Sequence, residues 1–149
     1  MSLHTTVACV IRRHARYLVV EEARGGPETV FNQPAGHVEP GEGPLAAIVR
    51  EVQEETAWDI QLTGYLGLYV FHTASGLTFH SHAFTAEPIH FRDTPLDNDI
   101  TATHWLTREE LHALNAQGRL RSPLVLTRIE DAHAGTIHPL NVIHESPCF

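Results

Sequence analysis

The stretch Gly36-His37-Val38-Glu39-Pro40-Gly41-Glu42-Gly43-Pro44, continued through Leu45 to Val49 and closed by Arg50-Glu51-Val52-Gln53-Glu54-Glu55-Thr56-Ala57-Trp58, decides the architecture of this chain. Pro44 suits the first turn of a helix, where its missing N–H leaves nothing unsatisfied. Leu45, Ile48, Val49, Val52 and Thr56 then follow at i, i+3, i+4, i+7 and i+11, an apolar stripe that faces a core. Glu51, Glu54 and Glu55 stand at i, i+3 and i+4 and are expected on another side of the same helix. Three crowded carboxylates repel one another. A hard divalent cation, which takes oxygen ligands, would turn that repulsion into a binding site. For the three glutamates alone, a solvated acidic surface remains the alternative.

Working outward, 149 residues suit one domain spanning 1–149, with enough chain to bury a core. A hydrophobic content of 42% against 19% charged residues is globular rather than disordered. The net charge of −8 argues against gripping a nucleic acid polymer, which needs a positive face, but allows a small phosphorylated substrate reached through a metal. All ten basic residues are arginine, which excludes P-loop and Schiff-base lysine chemistry. Cys9 and Cys148 offer neither a disulfide framework nor a thiolate metal site. No secretory signal and no apolar run of membrane-spanning length is seen, so the expectation is a soluble, cytoplasmic protein without membrane partners. Oligomeric state is not readable.

Strands are expected at Thr5 to Ile11, Tyr17 to Val20 and Val30 to Gln33, with a glycine loop from Gly36 to Gly43. Asp59 to His72 has apolar residues on both faces and reads as a buried strand. Ala74-Ser75-Gly76 turns it into a returning strand, Leu77 to Ala86, and another strand follows at Thr101 to Leu106. Thr107 and Glu110 have capping-box spacing, and Ser122-Pro123 opens a last helix. The pattern predicts a mixed sheet with helices packed on it, α+β or a three-layer α/β/α sandwich.

Gly36, Glu42, Arg50, Glu51, Val52, Glu54, Glu55 and Trp58 together resemble the Nudix box of the Nudix (MutT-like) hydrolases. The spacing matches throughout, and an accidental match has odds of about one in ten million per start site. Ala57 stands where that signature has glycine, which concerns the helix cap rather than the carboxylates. The resemblance implies a Nudix-type α/β/α sandwich with a mixed β-sheet and the box helix packed on it. It also implies Mg²⁺- or Mn²⁺-dependent attack of water on a phosphoanhydride. On this reading Glu51, Glu54, Glu55 and the Gly36 carbonyl hold metal, Arg50 orients the carboxylates, and Glu42 pairs with Arg50. Glu51 or a later loop acid such as Asp99 serves as base.

Patches outside the box resemble the NudJ phosphatase subgroup: Asn32-Gln33-Pro34-Ala35, Arg121-Ser122-Pro123-Leu124-Val125 and His138-Pro139-Leu140 among them. That implies release of inorganic phosphate from nucleoside di- and triphosphates, hydroxymethylpyrimidine diphosphate and thiamine diphosphate. The alternatives are a pyrophosphatase of nucleoside diphosphate-linked molecules such as ADP-ribose, or a non-catalytic nucleotide-binding module. His80, His82 and Phe84 alternate on one strand face and would line the substrate pocket if that face looks toward the box. A separate histidine metal site is the other reading. Phe31, Tyr69 and Phe79 could stack on a planar base, although core packing is the commoner fate of aromatic rings, and Trp58 and Trp105 read as core. Arg121 could meet phosphate or lie on the surface.

Overall fold

Pro44 begins helix α1 (Pro44–Thr56), as its fixed φ dictates, and the helix ends on Ala57 in the left-handed conformation, φ 65°. The computed structural model describes residues 2–146. Its strands are β1 (Ser2–Arg13), β2 (Arg16–Glu22), β3 (Val30–Asn32), β4 (Ala35–His37), β5 (Trp58–His72), β6 (Leu77–Phe91) and β7 (Ile100–Leu106). Helices α2 (Arg108–Ala116) and α3 (Pro123–Ala134) follow, then a single 3-10 turn at Leu140–Val142. Thr107 and Glu110 form the expected capping box, and the Ser122 side chain caps α3. Cys148 lies outside the described residues; Cys9 is buried.

The strands join in the order β3-β2-β1-β6-β5, with β4 added on β1 and β7 on β2. β1 and β6 run parallel from Ser2↔Leu77 to Ile11↔Ala86; the other pairings are antiparallel. Val7 to Ile11 is buried on both faces because helices cover the sheet on both sides. Val7, Cys9, Ile11 and Phe84 pack under Ile48 and Val52 of α1. Val10, Tyr17, Val19 and Leu66 pack against Leu111 of α2 and Ile129 of α3. The result is a mixed sheet between helical layers, as expected.

Four expectations need correction. The glycine loop begins as a strand, since Ala35–His37 pairs with Thr6–Ala8 of β1. The α1 stripe is rotated: Val49 is exposed, whereas Ala47 and Glu55 are buried. β5 is not buried on both faces: one face of its far half has no helix over it, and Leu68 and Val70 there are about half exposed. Trp58 and Trp105 are only partly buried; they meet edge-on, and the Arg13 guanidinium sits 4.3 Å from the Trp105 ring centre. At the other end of the chain, His138 bridges Tyr65, and Gly64 permits this approach because a Cβ there would strike Ile137. No helix among the described residues is long and apolar enough to cross a membrane.

Candidate active site

β4 lies beside α1 because β1 pairs with it through Val7↔Gly36 while packing under the helix. That juxtaposition explains Gly36. A Cβ at this position would fall within the Glu51 carboxylate, so only glycine lets the carboxylate lie against the strand. One residue earlier, the Ala35 N–H donates to Glu55 Oε1 at 2.9 Å.

Arg50 organises the glutamates. Its Nε and Nη2 donate to the two Glu42 oxygens at 2.8 and 2.9 Å, a bidentate fork. Its Nη1 reaches Glu51 at 2.9 Å and Glu54 at 3.1 Å, and Nη2 also donates to the His37 carbonyl. With its fork spent on carboxylates and backbone, Arg50 is a positioning group. Its hydrogen bonds hold the Glu42 carboxyl at about pKa 2.

The oxygens of Glu51, Glu54 and Asp97 lie within 4.8 Å of one another. Asp97 arrives on the loop 92–99, which docks on the end of α1 through Asp97 N–H to Glu54 O and Arg92 N–H to Ala57 O. These bonds satisfy carbonyls that a helix end leaves open. Burial raises the Glu51 pKa against the pull of Arg50. Burial, then the charges of Glu54 and Asp99, raises that of Asp97. Glu55 is raised furthest, to about 9, first by burial and then by Glu51, Glu22 and Asp97, in spite of its bond from Ala35. Three hard oxygen donors, from Glu51, Glu54 and Asp97, brought this close fit a divalent cation. Glu55 stands beside this cluster rather than in it.

Glu51, Glu55 and Gly36 open onto a cleft of about 540 Å³, within the range of small-ligand sites. Asp99, Glu22, Arg121 and Arg128 line other parts of it. A second cavity, about 380 Å³ around Val10 and Thr85, touches none of the box glutamates. The expected histidine face is the wrong one: Leu77, Phe79 and Ser81 line the cleft, while Phe84 is in the core under α1 and His82 bonds Tyr65 Oη at 2.9 Å. A strand alternates faces at every residue, and the odd-numbered set is the one turned to the cleft. Of the candidate stacking rings, Phe79 lines the cleft, stacked on Phe71 at 4.8 Å and on His4 at 4.9 Å. Phe31 is buried, and Tyr69 donates to Asp131 at 2.6 Å.

From sequence alone the loop acid singled out was Asp99; Asp97, its neighbour two residues earlier, and Arg128 were missed. A signal for the latter existed. Arg128 follows Val125 by three and precedes Ile129 by one, so it sits on the apolar stripe of α3 where a charge is out of place.

Comparison with known proteins agrees with this geometry. The NUDIX domain family model matches residues 2–127. Phosphatase NudJ of Escherichia coli K12 is 36% identical over 141 residues, covering 94% of this chain and 90% of the relative; that of Shigella flexneri matches equally. A NUDIX hydrolase structure from Nitrosomonas europaea superposes with a TM-score of 0.91 at 38% identity, over 97% of this chain and 98% of that one. A MutT protein structure from Methanosarcina mazei, at 17% identity and TM-score 0.72 over 90% of this chain and 96% of that one, shares the fold. The chain belongs to the Nudix hydrolase family and is an enzyme acting on phosphoanhydrides.

Proposed function

We propose that this enzyme releases inorganic phosphate from nucleoside di- and triphosphates and from thiamine-pathway diphosphates, hydroxymethylpyrimidine diphosphate and thiamine diphosphate. The observation that supports the chemistry is the meeting of Glu51, Glu54 and Asp97 oxygens, with Glu51 also lining the cleft. The phosphate-releasing outcome is supported by the likeness to relatives named phosphatases over nearly the whole chain. Glu51, Glu54 and Asp97 would hold Mg²⁺ or Mn²⁺, with the Gly36 carbonyl and Glu55 as adjoining ligands. Bound there, a divalent cation supplies charge neutralisation for a diphosphate and makes water a better nucleophile at neutral pH.

The protein's own part is positional and protonic. Arg50 fixes the Glu51 and Glu54 carboxylates through hydrogen bonds at 2.9 and 3.1 Å, and is itself fixed by Glu42. The proton from the attacking water passes to a carboxylate, Glu51 or a loop acid; Asp99 at the cleft wall is one such acid and Asp97 the other. Phe71 and Phe79 give the cleft an apolar side for the organic part of the substrate.

Product analysis with Mg²⁺ on GDP, GTP, thiamine diphosphate and ADP-ribose tests the reading. Orthophosphate should appear from the first three. Cleavage of ADP-ribose with no orthophosphate from GDP would instead make the enzyme a pyrophosphatase of nucleoside diphosphate-linked molecules, and no hydrolysis of any would leave a binding module.

A further inference from the structure

The cleft wall away from the glutamates carries a positive charge with no counter-ion among the described residues. Arg128 is only 5% exposed. Its Nη1 donates to Gln33 Oε1 at 3.2 Å and its Nη2 to Ser81 Oγ at 3.0 Å; its Nε has no hydrogen-bond partner among the described residues. Both partners are neutral and buried, and Gln33 is itself locked by donating Nε2 to the Val125 carbonyl at 2.7 Å. The Tyr69 ring, 5.6 Å from the guanidinium carbon, is a weak electrostatic partner. A buried guanidinium held in one orientation by neutral groups is costly to the free protein, and the arrangement makes physical sense when an oxyanion arrives to pair with it. Its pKa, lowered by burial to about 10, still leaves it charged at neutral pH. Arg121 lines the same cleft but has the Glu22 carboxyl nearby, which leaves Arg128 as the guanidinium without an acidic neighbour among the described residues.

This site is not the glutamate cluster. β1 lies between β6, which carries Ser81, and β4, which backs Glu51. Two strand spacings, roughly 10 Å, therefore separate Ser81 from β4.

We propose that Arg128, oriented by Gln33 and Ser81, is an anchor for a second phosphate group of the substrate, distinct from the one hydrolysed at the glutamates. It reads the unreactive phosphate through the N–H groups of Nη1 and Nη2 that Gln33 and Ser81 leave unused. The inference rests on the phosphoanhydride hydrolase reading above and names a specificity element within that site.

Inorganic phosphate, titrated calorimetrically into the protein in EDTA, isolates this subsite because no cation can bridge phosphate to the carboxylates. Wild type should bind, and Glu54→Gln should bind equally well. Arg128→Gln should lose about tenfold or more in affinity, and Arg128→Lys, which keeps the charge but not the fork, should fall between. With Mg²⁺ and GTP, Arg128→Lys should raise KM by about tenfold with a smaller change in kcat. Circular dichroism establishes which variants fold; if Arg128→Gln does not, Arg128→Lys decides. Absence of binding by wild type up to ~10 mM phosphate, or wild-type affinity in a folded Arg128 variant, overturns the proposal. Absence of Mg²⁺-dependent hydrolysis would instead strike the hydrolase reading and leave the metal-free titration standing.

Discussion

Glu51 and Gly36 form a single unit: the carboxylate occupies the space a side chain on β4 would need. Gly36→Ala should therefore displace a cluster ligand without disturbing the core. Phosphate release should fall by at least about a hundredfold, the usual consequence of an ångström-scale misplacement, while the unfolding temperature stays near wild type. A fully active Gly36→Ala enzyme would show that Glu51 need not lie where it does. Glu55 gives a second expectation. Its carboxyl, raised from 4.5 to about 9 mainly by burial, keeps its proton at neutral pH in the metal-free protein. The folded state then holds a proton that the unfolded state has lost, so metal-free stability should decline as pH rises from about 4.5 toward 9. Mg²⁺ or Mn²⁺ binding nearby should release that proton. Calorimetry in buffers of different ionisation enthalpy should detect the release near pH 7, and buffer-independent heats would contradict it.

At the scale of elements, α1 is positioned from both ends. Gly43 and Pro44 start it, and the loop 92–99 closes its far end through backbone bonds to the Glu54 and Ala57 carbonyls. Ala57 takes the left-handed cap that glycine would fill, a conformation that costs about 1–2 kcal/mol without glycine, while its methyl is fully buried. The docked loop is what delivers Asp97. Asp97→Asn should weaken Mg²⁺ binding by at least about tenfold, whereas Asp99→Asn should leave Mg²⁺ affinity near wild type because its carboxylate is outside the oxygen cluster. Equal losses in the two variants would contradict the assignment of Asp97. The box itself was legible from sequence because a helix repeats at fixed spacing, so Arg50, Glu51 and Glu54 had to share a side. What was illegible depended on partners distant in sequence. β4 is a strand only because β1 lies beside it. The face that β6 turns to the cleft follows from its parallel register with β1, and a one-residue shift exchanges His80 and His82 for Phe79 and Ser81. Glu55 reads as a third surface carboxylate until β4 covers it.

On the scale of the whole molecule, the sheet is shared between two helical layers, and the cleft opens where strand ends, α1, α3 and the loop 92–99 converge. Its lining carries both signs of charge: Glu51 and Glu55 from α1, Asp99 from that loop and Glu22 from β2, together with Arg121 and Arg128. This polarity sits in a chain of net charge −8, so phosphate must be admitted by local charge rather than by the overall field. The fold class could be read from the order of elements, but the cleft could not, because its walls come from segments as far apart in the chain as Thr6 and Arg128, whose meeting depends on the parallel β1–β6 pairing. On the proposed reading, the clustered carboxylates of the box catalyse phosphoanhydride hydrolysis through a divalent cation. Orthophosphate release from GDP, measured with and without Mg²⁺ for wild type and for Glu51→Gln combined with Glu54→Gln, tests it most directly. Wild type should release orthophosphate only with Mg²⁺, and the double variant should lose about a thousandfold with its fold retained; unchanged turnover in that variant would refute catalysis by these carboxylates.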